Sequence, residues 1–337
     1  MNKLQQLYDR IIQRVNINLR ELDFDAEHYS TGLIQPEQMN KFYSFYGIST
    51  HHPLSLVFKN SGLAGSYFLG KCSIADSLLY KTDIRGDELK RKGTSFKYKD
   101  FTIPLNRDEM IDIRHSALVK TLVHNYSHDP ETPDVFFIRD TLAMDYANIH
   151  GAPTEGAFLG PFATVDLTSI HDCVIGTYSY IQAGEINHMQ IAPGTIWVNS
   201  PGNFNFYYRY DPDQLRRYAG VVTGDLPHGL LFDFIEEHEV AFQRVFDAVN
   251  LEAVEFVPKT ASLDRYAVVL PKCTIADNVL VSQRAYLENS SLGKGSNAQE
   301  NCYIINSKLE GFNVTAHGAK IIEAELEKDA FVGFNSF

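Results

Sequence analysis

Along the last quarter of the chain a large apolar side chain returns every six positions, at Val269, Ile275, Val281 and Leu287. After a five-residue step the ladder resumes at Leu292, Ala298 and Ile304, and after another at Leu309. Ala316, Ile322, Leu326 and Val332 extend it, with one seven-residue and one four-residue step. Two positions before most rungs sits a smaller residue, such as Cys273, Val279, Ala285, Ser290, Ser296 and Cys302. An amphipathic helix repeats at 3.6 and a half-buried strand at 2, so neither produces this period. It fits a coil of short flat sides, each turning one apolar residue inward, with the small residue near the bend. Stacked coils then pair backbone with backbone and bury one continuous apolar column.

The same grammar appears earlier. Phe68, Ile74 and Tyr80 are six apart, and GKCSIADSLLY (70–80) mirrors PKCTIADNVLV (271–281). A further run carries Leu159, Val165, Ile170, Ile175, Ile181, Ile186, Ile191 and Trp197, with Ala163, Cys173 and Ser179 in the small slot. All four cysteines (Cys72, Cys173, Cys273, Cys302) occupy that slot, which makes them packing residues; their spacing forms no CxxC pattern. Over 66–86, 135–198 and 263–336 the chain resembles the left-handed β-helix, hexapeptide-repeat superfamily. The resemblance implies the left hand, which the period alone does not give, a homotrimer with clefts between neighbouring prisms, and acyl transfer from acyl-CoA or acyl carrier protein. The fold expected is therefore mainly β, a left-handed parallel β-helix with a helical N-terminus and inserted helices.

Three segments depart from the repeat. Residues 1–65 read as a helical N-terminal region: Leu4, Leu7, Ile11, Ile12, Val15 and Leu19 form a stripe, and Pro36 opens a second short helix through Phe45. The β-helix of 66–198 is interrupted over 87–134 by a charged stretch (Lys90, Arg91, Lys92, Lys97, Lys99) and an expected helix around Met110–His124. A helical insertion spans 199–262, leaving the coil at Pro201 and Gly202, with a short helix after Asp211-Pro212 and a longer one over Gly229–Asn250. The C-terminal coils fill 263–337.

The 337 residues carry a formal net charge of −12, which argues against nucleic acid or an anionic membrane as the main partner. No stretch approaches the roughly 18 apolar residues of a membrane-spanning helix. The charged start, MNKLQQLYDRIIQRVNINL, does not read as an export signal, so the expected compartment is the cytoplasm.

The sharpest chemical signal is SIHDCVIG (169–176). It resembles the active-site coil of acyl-ACP-dependent acyltransferases of lipid A synthesis and of sialic-acid and bacillosamine sugar acetyltransferases. That resemblance makes His171 the general base. An amine or hydroxyl attacking a thioester must lose a proton, and imidazole titrates near working pH. Asp172 is a candidate to orient it, although adjacent residues of an extended segment point opposite ways. HMQIAPG (188–194) resembles the HIAPG stretch of the sugar acetyltransferases, which makes His188 a lining residue of the donor pocket. Gly176 and Gly194 fall where backbone N–H groups could meet an oxyanion or pantetheine amides. His150 is a further candidate base; His317 reads as a solvated corner residue; His124 and His128 form an i, i+4 pair without an evident third metal ligand, and no metal is expected. The function that follows is transfer of an acyl group, acetyl in the first instance, to an amine or hydroxyl of a small polar acceptor such as a sugar. The competing class is a non-catalytic β-helix scaffold.

Overall fold

The computed structural model describes residues 3–47, 55–126, 136–221, 227–242, 256–264 and 266–337. The chain divides into two compact units, Met1–Pro227 and His228–Phe337.

The first unit is a parallel β-helix with three faces. The first face is a nine-stranded sheet running from Ser44–Gly47 to Phe204–Arg209, the second a seven-stranded sheet from Leu56–Lys59 to Gly184–Asn187, and the third a six-stranded sheet from Leu78–Tyr80 to Gln190–Ile191. Every pairing within the stack is parallel except the last, where Phe204–Arg209 folds back antiparallel on Thr195–Ser200. On the first face Ile84, Val123, Ile149, Val165 and Ile181 stand in register and wholly buried. They form the inward column, closed at its end by Trp197.

Corners are made by residues at positive φ. Asn60, Asp76, His115, Asp140, Asp172 and His188 sit near φ +50, and Gly156 at +65. Such left-handed positions are held most cheaply by Gly, Asn, Asp and His. A second corner stacks Tyr146, Phe162 and Tyr178, with centroids 5.1 and 5.4 Å apart. Gly194 ends that stack: a Cβ there would lie 2.4 Å from the Tyr210 carbonyl oxygen, where the returning hairpin crosses.

The N-terminal helix Lys3–Leu19 covers the third face. Its Leu7, Ile11, Ile12, Val15 and Leu19 pack against Leu78, Tyr80, Val119, Leu142, Phe158 and Val174. The short helix from Pro36 ends at Met39, and Ser44–Gly47 is already the first strand of the first face. Leu56–Lys59 likewise belongs to the second face, so 1–65 is not helical throughout.

The expected helix at 110–124 is instead three strands of one coil, Ile111–Arg114, Ala117–Val119 and Leu122–Tyr126. Its inward residues Ile113, Leu118 and Val123 are five apart, and Ala117 and Val119 are buried on the other side, so apolar residues fall between the rungs as well. What leaves the coil is shorter and includes a β-hairpin, Ser95–Tyr98 with Phe101–Pro104.

The second unit is a smaller β-helix with sheets of five, four and four strands. Val269, Ile275, Val281, Leu287, Leu292, Ala298 and Ile304 are all buried in one core with Cys273 and Cys302. The ladder above Leu309 needs one correction. Thr315 pairs with Ala298, and Ile321 with Ile304, so these point inward rather than Ala316 and Ile322. The seven- and four-residue steps thereby vanish. The first unit shows the same one-residue slip: Leu79 joins the inner core, while Tyr80 faces the N-terminal helix. Leu230–Glu237 packs Phe234 and Ile235 on Val268, Tyr286 and Tyr303. Of the longer helix expected to Asn250, residues 243–250 lie outside the described residues.

Candidate active site

On the first face, residues two apart on a strand share a side, and neighbours in register form columns across the coils. One outward column reads Arg85, His124, His150, Asp166 and Gln182; beside it runs Leu122, Asn148, Thr164 and Tyr180. Arg85, His124, Asn148 and Thr164 are buried although they point away from the prism core. These four side chains make a sheltered polar strip on the outside of the first face.

At its centre the His150 Nδ1 lies 2.7 Å from Asp166 Oδ1. The Tyr180 hydroxyl donates to the other carboxylate oxygen, Oδ2, at 2.7 Å. Burial and then this hydrogen bond to a carboxylate push the Tyr180 phenol above its usual range, so it remains protonated and a donor. Asp166 thus accepts from both, which fixes the Nδ1–H tautomer of His150 and leaves Nε2 as the basic nitrogen. The His124 ring lies 5.0 Å from that of His150, centroid to centroid. Because the side chains come from successive coils, the backbone ladder holds their spacing near one strand separation.

His171 stands on a different face. It ends the strand Thr168–His171, a third exposed, with Nδ1 3.8 Å from Glu155 Oε2 on the coil before. Asp172 does not serve it. As a corner residue at φ +49, Asp172 turns its Oδ1 over Gly156, beside Asn18 of the N-terminal helix. His188 occupies the next corner of that column and pairs through Nε2 with Glu21 at 3.3 Å. The N–H of Gly176 donates to the Ile191 carbonyl and that of Gly194 to the Thr177 carbonyl, each at 2.9 Å. A Cβ on Gly176 would meet Pro193 N at 2.4 Å, so the close approach at that glycine is backbone on backbone.

Two further histidines differ from expectation. His124 lies on a strand rather than a helix, and His128 lies outside the described residues, so the i, i+4 pair is not realised as a helical site. Among the described residues no cluster of three metal-ligating side chains occurs. His317 is not solvated: it is buried, with Nδ1 2.6 Å from Glu300 Oε2. The cysteines are buried and their thiols pushed up by desolvation, which removes them as nucleophiles at neutral pH. Asp166 and Tyr180 lie outside the motifs to which the sequence points. The signal was present: His150 and Asp166 are sixteen residues apart, one coil of this unit.

The comparisons with known proteins agree with the stacked parallel β-helix. The family model described as "Hexapeptide repeat including loop" matches residues 101–223, the stretch that holds this pair. A crystal structure from Desulfovibrio desulfuricans G20, described as a "putative acetyltransferase", is similar over 100% of this chain and 73% of its own, with 50% identity and a TM-score of 0.86. No match occurs among curated proteins. The chain belongs to the hexapeptide-repeat, left-handed β-helix acyltransferases. Among the described residues no helix is long and apolar enough to cross a membrane.

Proposed function

We propose that this enzyme transfers an acyl group from an acyl thioester, acyl-CoA or acyl carrier protein, to an amine or hydroxyl, with His150 as general base. The observation that carries the reading is the Asp166–His150 pair at 2.7 Å, completed by Tyr180. The acceptor's proton passes to His150 Nε2 as its nitrogen or oxygen attacks the thioester carbonyl. Asp166 stabilises the imidazolium so formed. Collapse of the tetrahedral intermediate breaks the C–S bond, and imidazolium returns the proton to the leaving thiolate. The likeness to the Desulfovibrio protein supports acetyl as the first donor to try; a sugar amine or hydroxyl is the acceptor class that the SIHDCVIG resemblance suggests.

His171 as base, with Glu155 as its partner and Gly176, His188 and Gly194 lining the donor arm, is the second reading. The motif and the 3.8 Å approach of Glu155 favour it. Parallel turnover measurements on His150→Ala, Asp166→Asn and His171→Ala, with donor affinity read separately, decide between them. We expect His150→Ala to lower turnover by about two to four powers of ten, the usual worth of a positioned base, with donor binding little changed. Full activity in His150→Ala together with loss in His171→Ala moves the chemistry to the second face. Absence of any donor binding would favour the scaffold class.

A further inference from the structure

Asn148 stands two residues before His150 on the same strand and on the same outward side, so the two side chains leave the backbone about 7 Å apart. Its neighbours in register are Leu122 on the coil before and Thr164 on the coil after. The residue is 5% exposed, yet its Oδ1 has no hydrogen-bond partner among the described residues. Buried threonines of the same coils behave otherwise. Thr82, Thr121, Thr141, Thr154 and Thr168 each donate to a backbone carbonyl two residues back. Asp166, His150 and Tyr180 satisfy one another beside Asn148. A buried amide oxygen without a donor is a standing cost to the folded chain, one that a leucine of similar size would not carry. Its place beside the proposed base gives that oxygen a partner that arrives with the substrate.

The hydrogens on the nucleophile decide what this oxygen can hold. A hydroxyl brings one O–H, and that proton goes to His150 Nε2 as the oxygen attacks. Only lone pairs then remain to face the Asn148 oxygen. A primary amine brings two N–H bonds; one proton goes to His150 and the other stays on nitrogen throughout. We propose that Asn148 Oδ1 accepts this retained N–H, and that the enzyme is an N-acyltransferase acting on primary amines. The N–C bond forms and the C–S bond of the thioester breaks. The proton taken by His150 passes to the leaving thiolate, and the amide product keeps the N–H that Asn148 holds. The inference rests on His150 as the base, and it narrows the substrate from amine or hydroxyl to amine. A polar group buried to meet one substrate hydrogen discriminates strongly against an analogue that lacks it, because the group is then left unpaired.

The test supplies acetyl-CoA with matched pairs of nucleophiles, glucosamine with glucose and benzylamine with benzyl alcohol. Release of CoA gives kcat/KM for each member, and treatment of the product with hydroxylamine, which cleaves an ester and leaves an amide, shows which atom was acetylated. Wild type should acetylate the amines and convert glucosamine to a hydroxylamine-resistant product. In Asn148→Leu the ratio of amine to hydroxyl kcat/KM should fall by about ten- to a hundredfold. The intrinsic reactivity of the nucleophiles is the same with both enzymes, so that change belongs to Asn148. Leucine fills a similar volume without an unpaired oxygen, so the thermal midpoint should equal or exceed that of wild type; Asn148→Ala repeats the ratio at smaller volume. An unchanged ratio in both variants, an ester product from glucosamine, or no acetylation of either amine overturns the proposal. A lower mass by light scattering with the ratio unchanged also overturns it and assigns Asn148 to contact with a second copy. His150→Ala separates the two readings. Hydroxyl acetylation in wild type that is lost in His150→Ala keeps the base and removes the amine assignment. Amide formation that survives in His150→Ala and still depends on Asn148 removes the base and leaves the amine site.

Discussion

Asp166 shows how much one carboxylate does on a coil surface. It accepts from His150 through one oxygen and from Tyr180 through the other, so both rings are aimed by a single residue. The short motif His171-Asp172-Cys173 has an architectural explanation for two of its letters: Asp172 takes a left-handed corner and Cys173 the small buried slot. A motif read along the chain could not separate these roles from chemistry, because it does not say which residues meet across coils. In the second unit Lys320 makes a different point. It is buried, its ammonium over the Tyr303 ring and donating to the Gly318 carbonyl, and desolvation lowers its pKa from 10.5 to about 8. Below about pH 8 the residue is charged folded and unfolded, so the burial penalty is fully present. Between that value and 10.5 the unfolded chain binds the proton more tightly, and stability rises with pH. Lys320→Met should remove that rise and stabilise the second unit at pH 7 by at most about 3 kcal/mol. Comparing denaturant unfolding of wild type and variant at pH 7, 8 and 9.5 isolates the effect; an unchanged difference across that range would exclude it.

At the scale of the element, the six-residue ladder was legible because each coil side turns one residue into a shared column, and apolarity is demanded there. It misled wherever an inward position is polar or its neighbour is large. Thr315 hides a rung, so the apolar pattern runs one residue late, through Ala316 and Ile322. Tyr80 displaced Leu79 because the outer surface of that face is itself buried beneath the N-terminal helix. The coil at 111–126 is masked for a related reason: apolar residues on both sides of its strands fill in the pattern between rungs. The columns make a firm statement about stability. Ile275 is buried in the core of the second unit with Val281, in register with Leu292. Ile275→Asp places an unpaired carboxyl in that column and should cost more than about 4 kcal/mol, enough to abolish cooperative unfolding of the unit. A thermal melt unchanged from wild type would show that the column tolerates charge and that the inward assignment is wrong.

For the whole molecule, the question is which prism faces remain for other copies of the chain. In the first unit the N-terminal helix seals the third face with its own apolar stripe. The first face carries the His150–Asp166 pair, and the second carries Arg114, Arg139, Glu155 and His171 in one outward column. A threefold assembly uses two faces of each prism, since every copy has one neighbour on either side and a closed ring leaves no free pair. A prism with one face covered from within and two faces that this helix leaves uncovered matches that requirement. We therefore predict a homotrimer. Light scattering at micromolar concentration should return three times the 38.1 kDa chain mass. Reversing charge at Arg114 and Arg139 together should lower that mass if the second face is at the contact, because like charge across an interface costs several kcal/mol. A monomer in wild type would overturn the assembly and leave the His150–Asp166 pair to work within one chain.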